Sequence, residues 1–96
     1  MYSVRFPDFA RERDFGKAIS KIPPAIQNKI MDAVQALSDN PRFYGATKII
    51  PAIGISNYLA QYRIRVGNFR VLYDIDDKNK IVWIFDLRKR SEATYK

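Results

Sequence analysis

The sequence predicts an α+β domain in which an N-terminal strand and a helical hairpin pack on one face of an antiparallel β-sheet. Three observations predict it. Apolar residues recur at helical spacing in the first half of the chain, they alternate with polar ones in the second half, and prolines and glycines fall between these runs. Helices followed by a run of strands give the α+β class. With 96 residues the chain has enough length for one core, so residues 1–96 read as a single domain.

Tyr2, Val4 and Phe6 alternate with Ser3 and Arg5, a short strand stopped by Pro7. Phe15, Ala18, Ile19 and Ile22 then lie at i, i+3, i+4 and i+7, which predicts a helix over residues 8–21 with one apolar stripe. Pro23 cannot continue the hydrogen-bond ladder, whereas Pro24 suits the first turn of a second helix carrying Ile26, Ile30, Ala33, Val34 and Leu37. The tetrad SDNP closes it. Gly45, Pro51 and Gly54 punctuate residues 42–57, RFYGATKIIPAIGISN, which read as a long loop pinned down by its isoleucines. Residues 59–66, 69–75 and 81–87, rich in Ile, Val, Tyr, Phe and Trp, read as a three-stranded meander.

Composition excludes several kinds of chemistry. There is no cysteine and no histidine, which removes disulfides, a thiolate nucleophile, the usual zinc sites and the usual general base. No apolar run approaches the ~18 to 20 residues of a membrane span, and the opening MYSVRFPDF lacks the apolar core of a secretory signal, so a cytoplasmic protein is expected. The net charge is +7, and most of the excess falls in the second half. That imbalance fits a polyanionic partner, either nucleic acid or an acidic protein, and charge does not choose between them.

The segment YRIRVGNFRVLY, residues 62–73, carries the strongest local signal. Gly67-Asn68 is a two-residue turn of the Gly-X type, which pairs Val66 with Phe69. Pairing outward sets Arg65 opposite Arg70, Ile64 opposite Val71, Arg63 opposite Leu72 and Tyr62 opposite Tyr73. One face then carries Ala60, Tyr62, Ile64, Val66, Phe69, Val71, Tyr73 and Ile75 toward the helices. The other presents Gln61, Arg63, Arg65, Arg70 and Leu72. A five-residue loop over residues 76–80 would pair Ile75 with Ile81, send Ile81, Trp83, Phe85 and Leu87 to the core, and set Asp86 beside Arg70, with Arg88 arriving at the same face.

Directly opposed like charges repel by roughly 1 kcal/mol in water-like surroundings, so folding gains nothing from the Arg65–Arg70 pair. Two readings remain: a solvated strand face whose long side chains splay apart, or an anion site. Guanidinium groups on a stiff sheet hold phosphate bidentately and stay charged near neutral pH. The chain ends DLRKRSEATYK, adding Arg88, Lys89 and Arg90 and then Tyr95. Folded back over the arginine face, that tail would bring a phenol near several cations, which lower its pKa.

YRIRVGNFRVLYDIDD, followed by a strand and a basic segment ending in Tyr, resembles the RelE/ParE superfamily of bacterial and archaeal toxins from toxin-antitoxin pairs. The resemblance covers nearly the whole chain, including the opening strand, a helical hairpin ending NPR and the segment GATK. It implies one of two activities. RelE-like members are metal-independent ribonucleases that cut mRNA in the ribosomal A site, and ParE-like members keep the fold and poison DNA gyrase. For the first, the resemblance assigns Arg70, the post-strand arginine (Arg88 or Arg90) and Tyr95 to catalysis. It assigns Arg63 and Arg65 to RNA binding, and Gln61 and Lys89 are expected to bind RNA beside them. It implies no cofactor and no metal, and two partners: a cognate antitoxin protein and mRNA on the ribosome. A catalytically weak RNA-binding module is a third possibility. Three features depart from the pattern: Leu87 stands where a glycine is common, Asp86 brings a negative charge toward the site, and IIPAIGISN is longer than the usual turn.

Overall fold

The computed structural model describes residues 1–43 and 45–89. Strand β1 (Ser3–Arg5) leads into helices α1 (Phe9–Ser20) and α2 (Pro24–Ala36), followed by strands β2 (Ala46–Ile55), β3 (Tyr58–Val66), β4 (Phe69–Asp76) and β5 (Ile81–Lys89). The five strands form one mixed sheet in the order β1-β5-β4-β3-β2, with β1 parallel to β5 and every other pair antiparallel.

Local chemistry sets the helix ends. The Asp8 carboxylate caps α1 by accepting from the Arg11 backbone N–H at 2.7 Å. At the other end the Gln27 side-chain amide donates to the carbonyls of Ile19 and Ile22, at 2.9 and 2.7 Å, adding to the Ile22 N–H bond on Ile19 in place of the N–H that Pro23 lacks. Pro24 opens α2, as its fixed φ predicts. Phe15 and Ile22 of the α1 side and Ile30, Val34 and Leu37 of the α2 side pack against Ile64, Val71, Tyr73, Val82, Ile84 and Leu87 of the sheet. Both helices therefore lie on one face, and the apolar stripes read from the sequence are buried there.

Three expectations need correction. Residues 46–55 are a strand rather than part of a loop, so a fourth strand flanks the meander. β2 is an edge strand in two paired pieces, with Lys48 opposite Tyr62 and Ile53 opposite Ala60, so that residues 49–52 bulge against Gln61 alone. Pro51 sits in that bulge, where a missing N–H breaks no ladder bond. Second, the β4–β5 turn spans residues 77–80, not five residues. Asp76 takes the place expected of Ile75 and pairs with Ile81, and its carboxylate accepts from the backbone and side chain of Asn79 at 3.1 and 2.9 Å. Ile75 consequently pairs with Val82, and Val82 and Ile84 face the helices in place of Ile81, Trp83 and Phe85. The shift would also turn Asp86 inward. A bulge prevents this: Tyr73 pairs with Ile84 and Leu72 with Asp86, leaving Phe85 as the extra residue and returning Asp86 to the open face and Leu87 to the core.

Third, Ala60 belongs to the opposite face from Tyr62. It is buried in a second, smaller cluster with Ile55, Leu72 and Phe85, bordered by Ile49, Ile53, Tyr58 and Trp83. The helix-free side of the sheet is therefore divided, with an apolar region where β2 curls over it and a cationic region near the β3–β4 turn.

Candidate functional site

The cationic region is built by register. Gly67 adopts φ +59°, the left-handed conformation that a Gly-X hairpin turn requires at its first central position, and the predicted pairing follows: Val66 with Phe69, Arg65 with Arg70, Ile64 with Val71, Arg63 with Leu72. β5 extends the row, because Arg70 is also opposite Arg88. Arg65, Arg70 and Arg88 thus form one line across three strands. The next row holds Thr47, Arg63, Leu72 and Asp86. Arg88, not Asp86, stands beside Arg70, which corrects the position expected from a five-residue loop.

Asp86 acts one row away. Its Oδ2 accepts from Arg88 Nε at 2.7 Å while Oδ1 accepts from the Leu87 backbone N–H at 2.9 Å. The carboxylate thereby fixes the direction of Arg88 and offsets part of the charge on the row. Arg63 and Arg70 are half-buried and Arg65 and Arg88 exposed, so the row runs from solvent at its ends to lower dielectric at its centre. Such a row is suited to a phosphodiester: rigidly mounted, permanently charged, and able to donate several N–H groups to one anion.

The other candidate residues separate. Gln61 lies on the same face, half-buried, with its amide donating to Asp74 Oδ2 at 3.4 Å. Lys89 pairs with Phe69 and so alternates to the helix side, where it borders a groove of about 450 Å³ with Lys21, Ile22, Pro23 and Leu87. Arg90 and Tyr95 lie outside the described residues.

Two features escaped the sequence reading. Arg42, of the NPR triad, donates Nη1 and Nη2 to the Asp77 carboxylate at 2.9 and 2.7 Å, and Tyr2 Oη–H donates to the same carboxylate at 2.7 Å. The Arg42 hydrogen bonds, and after them that of Tyr2, hold the Asp77 carboxyl well below the usual carboxylate range. This clamp ties the segment after α2 to the β4–β5 turn. Beside it the buried Tyr73 donates to the Pro41 carbonyl at 2.7 Å, and burial pushes its phenol up. No local pattern announces a contact between residues 42 and 77.

The second feature is aromatic. Tyr58 and Phe85 stack at 5.1 Å between centroids and 14° between planes, with Trp83 beside them on the face that carries the arginines. Reading the turn as four residues would have placed Trp83 and Phe85 there.

Comparison with known proteins completes the picture. A family model described as the ParE toxin of type II toxin-antitoxin systems, parDE, matches residues 7–94. No curated protein matches the chain. Among solved structures, the chain is similar to the archaeal RelE of the RelE-RelB complex from Pyrococcus horikoshii OT3, with 23% identity, 95% of this chain and 97% of that chain covered, and a TM-score of 0.70. It is similar also to the toxin-antitoxin complex RelBE2 of Mycobacterium tuberculosis, with 27% identity, coverages of 93% and 98%, and a TM-score of 0.65. The isolated E. coli RelE toxin matches at 18% identity, with coverages of 99% and 93% and a TM-score of 0.58. The helix pair, the five-stranded sheet and a family match spanning almost every residue agree: the chain belongs to the ParE toxin family of type II toxin-antitoxin systems, within the RelE/ParE superfamily.

Proposed function

We propose that this toxin is a ribosome-dependent, metal-independent endoribonuclease that cleaves mRNA in the A site and so halts translation. The observation that carries the reading is the Arg65–Arg70–Arg88 row with Arg63 in the adjoining row, all on one sheet face. Cleavage without a metal has three demands. The 2′-hydroxyl must lose a proton as its oxygen bonds to the neighbouring phosphorus, the extra charge on the phosphorane must be held, and the 5′-oxygen must leave with a proton. In this reading Arg63 and Arg65 bind the RNA backbone, and Arg70, at the centre of the row, stabilises the phosphorane. Arg88 or Arg90 assists the leaving oxygen, and Tyr95 takes the 2′ proton. The orientation of Arg88 by Asp86 supports Arg88 for that role.

Incubation with programmed ribosomes tests the assignment. Wild type cleaves the A-site codon, and Arg70→Ala lowers the rate by about 10²- to 10³-fold, as for loss of one preorganised charge donor. No cleavage by wild type, or undiminished cleavage by the variant, overturns it.

One observation favours a second reading. The matching family model is that of ParE toxins, whose superfamily branch poisons DNA gyrase. Inhibition of DNA supercoiling with translation untouched would select that activity.

The P. horikoshii and M. tuberculosis relatives are toxin-antitoxin complexes, and we infer a cognate antitoxin for this chain as well. Co-purification with the small protein encoded beside it is the expected outcome.

A further inference from the structure

The side of the sheet that carries the arginines also holds a cavity of about 240 Å³ lined by Pro7, Tyr58, Trp83 and Phe85. We propose that it is a stacking pocket for one base of the RNA strand whose phosphates lie on the arginine row, favouring cytosine over uracil. The proposal rests on the RNA-cleaving reading above and adds to it a base-recognition site.

Four observations support this occupant. The volume lies below the ~300 Å³ at which pockets for drug-sized ligands begin, and suits one flat ring. Trp83 is opposite Asp74, four residues along β4 from Arg70, so pocket and arginine row are separated by roughly 13 Å along one strand, within reach of a short single-stranded segment. Two cations neighbour the lining residues. Arg5 pairs with Trp83 across β1 and β5 and is exposed, and Arg11, close enough to Tyr58 to act on its phenol, donates Nη2 to Asp14 at 3.0 Å but has a buried Nε that meets no hydrogen-bond acceptor among the described residues. Finally, Asp74 is the cross-strand partner of Trp83 and shares its face of the sheet, next to the apolar lining. Among the described residues its Oδ2 receives only the long 3.4 Å contact from Gln61, and an ionised carboxylate accepts but does not donate. Cytosine places its N4 amine where uracil places O4, so an acceptor at that position favours cytosine although uracil keeps an N3–H donor. Aromatic stacking combined with flanking cations is how single-stranded nucleic acid is commonly held.

Trp83 is the chain's single tryptophan, so wild-type fluorescence reports on the pocket directly. The full chain is titrated with short 2′-O-methyl oligocytidine and oligouridine, which resist cleavage, and with an abasic oligomer of equal length. Oligocytidine quenches Trp83 and binds about 5- to 100-fold more tightly than the abasic oligomer, and oligouridine falls between them. Asp74→Asn, whose amide both donates and accepts, narrows or reverses the preference for cytosine over uracil. Trp83→Phe keeps most of the affinity and Trp83→Ala loses it. Binding of base-bearing and abasic oligomers with equal affinity and unquenched Trp83 overturns the pocket while leaving the RNA-cleaving reading intact, provided ribosomal cleavage is seen. Oligomers that fail to bind at all, together with uncleaved mRNA, overturn both.

Discussion

Arg88 stands directly opposite Arg70 on the β4–β5 ladder while donating Nε to Asp86 at 2.7 Å, so the carboxylate that steadies one arginine also tempers the charge of the row it completes. Arg88 is about half exposed, which limits the pair to the ~0.2 to 1 kcal/mol range of surface ion pairs. Replacing Asp86 with Asn removes the negative charge and loosens Arg88. Affinity for single-stranded RNA is expected to rise by up to about five-fold, with a steeper salt dependence, while A-site cleavage slows because the guanidinium is no longer aimed. Anisotropy titrations over a range of salt, paired with the ribosomal cleavage assay, check both halves.

Arg65 is exposed and faces Arg70 across β3 and β4. Arg65→Thr relieves a like-charge pair and supplies a good strand former, so the fold should gain about 0.2 to 1 kcal/mol. RNA binding should weaken, and the slope of log affinity against log salt should fall by about 0.7, one phosphate contact on a single strand. Chemical denaturation and salt-dependent binding measure the two effects. A variant both less stable and unchanged in salt slope would argue against a functional reason for the pair.

Tyr73 has its hydroxyl in the core, donating to the Pro41 carbonyl. Tyr73→Phe leaves that carbonyl without its donor and should cost about 1 to 3 kcal/mol at neutral pH. Burial raises the folded-state pKa above the ordinary phenol value of about 10. The folded state therefore holds this proton more tightly than the unfolded chain, and the associated stability is present below pH ~10 and lost as pH rises through the folded value. Denaturation midpoints above pH 10 should fall less steeply in the variant than in wild type.

Asp77 has the opposite sign. Its folded pKa is depressed by Arg42 and Tyr2, so the stability it contributes is present above the unfolded value near 3.9 and lost as pH falls below it. Asp77→Asn should lower the melting temperature at pH 6 and have a smaller effect near pH 2, where wild type has already lost part of that stability. Thermal melts across that range test it.

The sequence by itself determined what short-range chemistry controls. Helical spacing and the proline pair placed both helices, and Gly67-Asn68 paired Arg63, Arg65 and Arg70 onto one face, because a two-residue turn leaves a single register and the side-chain period of a strand is two. Only the tertiary structure decided the rest. A one-residue shorter turn after Asp76 moved Trp83 and Phe85 to the arginine side, and the bulge at Phe85 then restored Asp86 and Leu87 to the faces first expected of them. Residues 46–55 became a strand because β3 offered an edge that tolerates a bulged proline. The Arg42–Asp77 clamp joins groups 35 residues apart. Such features depend on competition between distant pairings, in which a longer loop permits several registers and burial of the whole apolar set selects one, so no local pattern announces them.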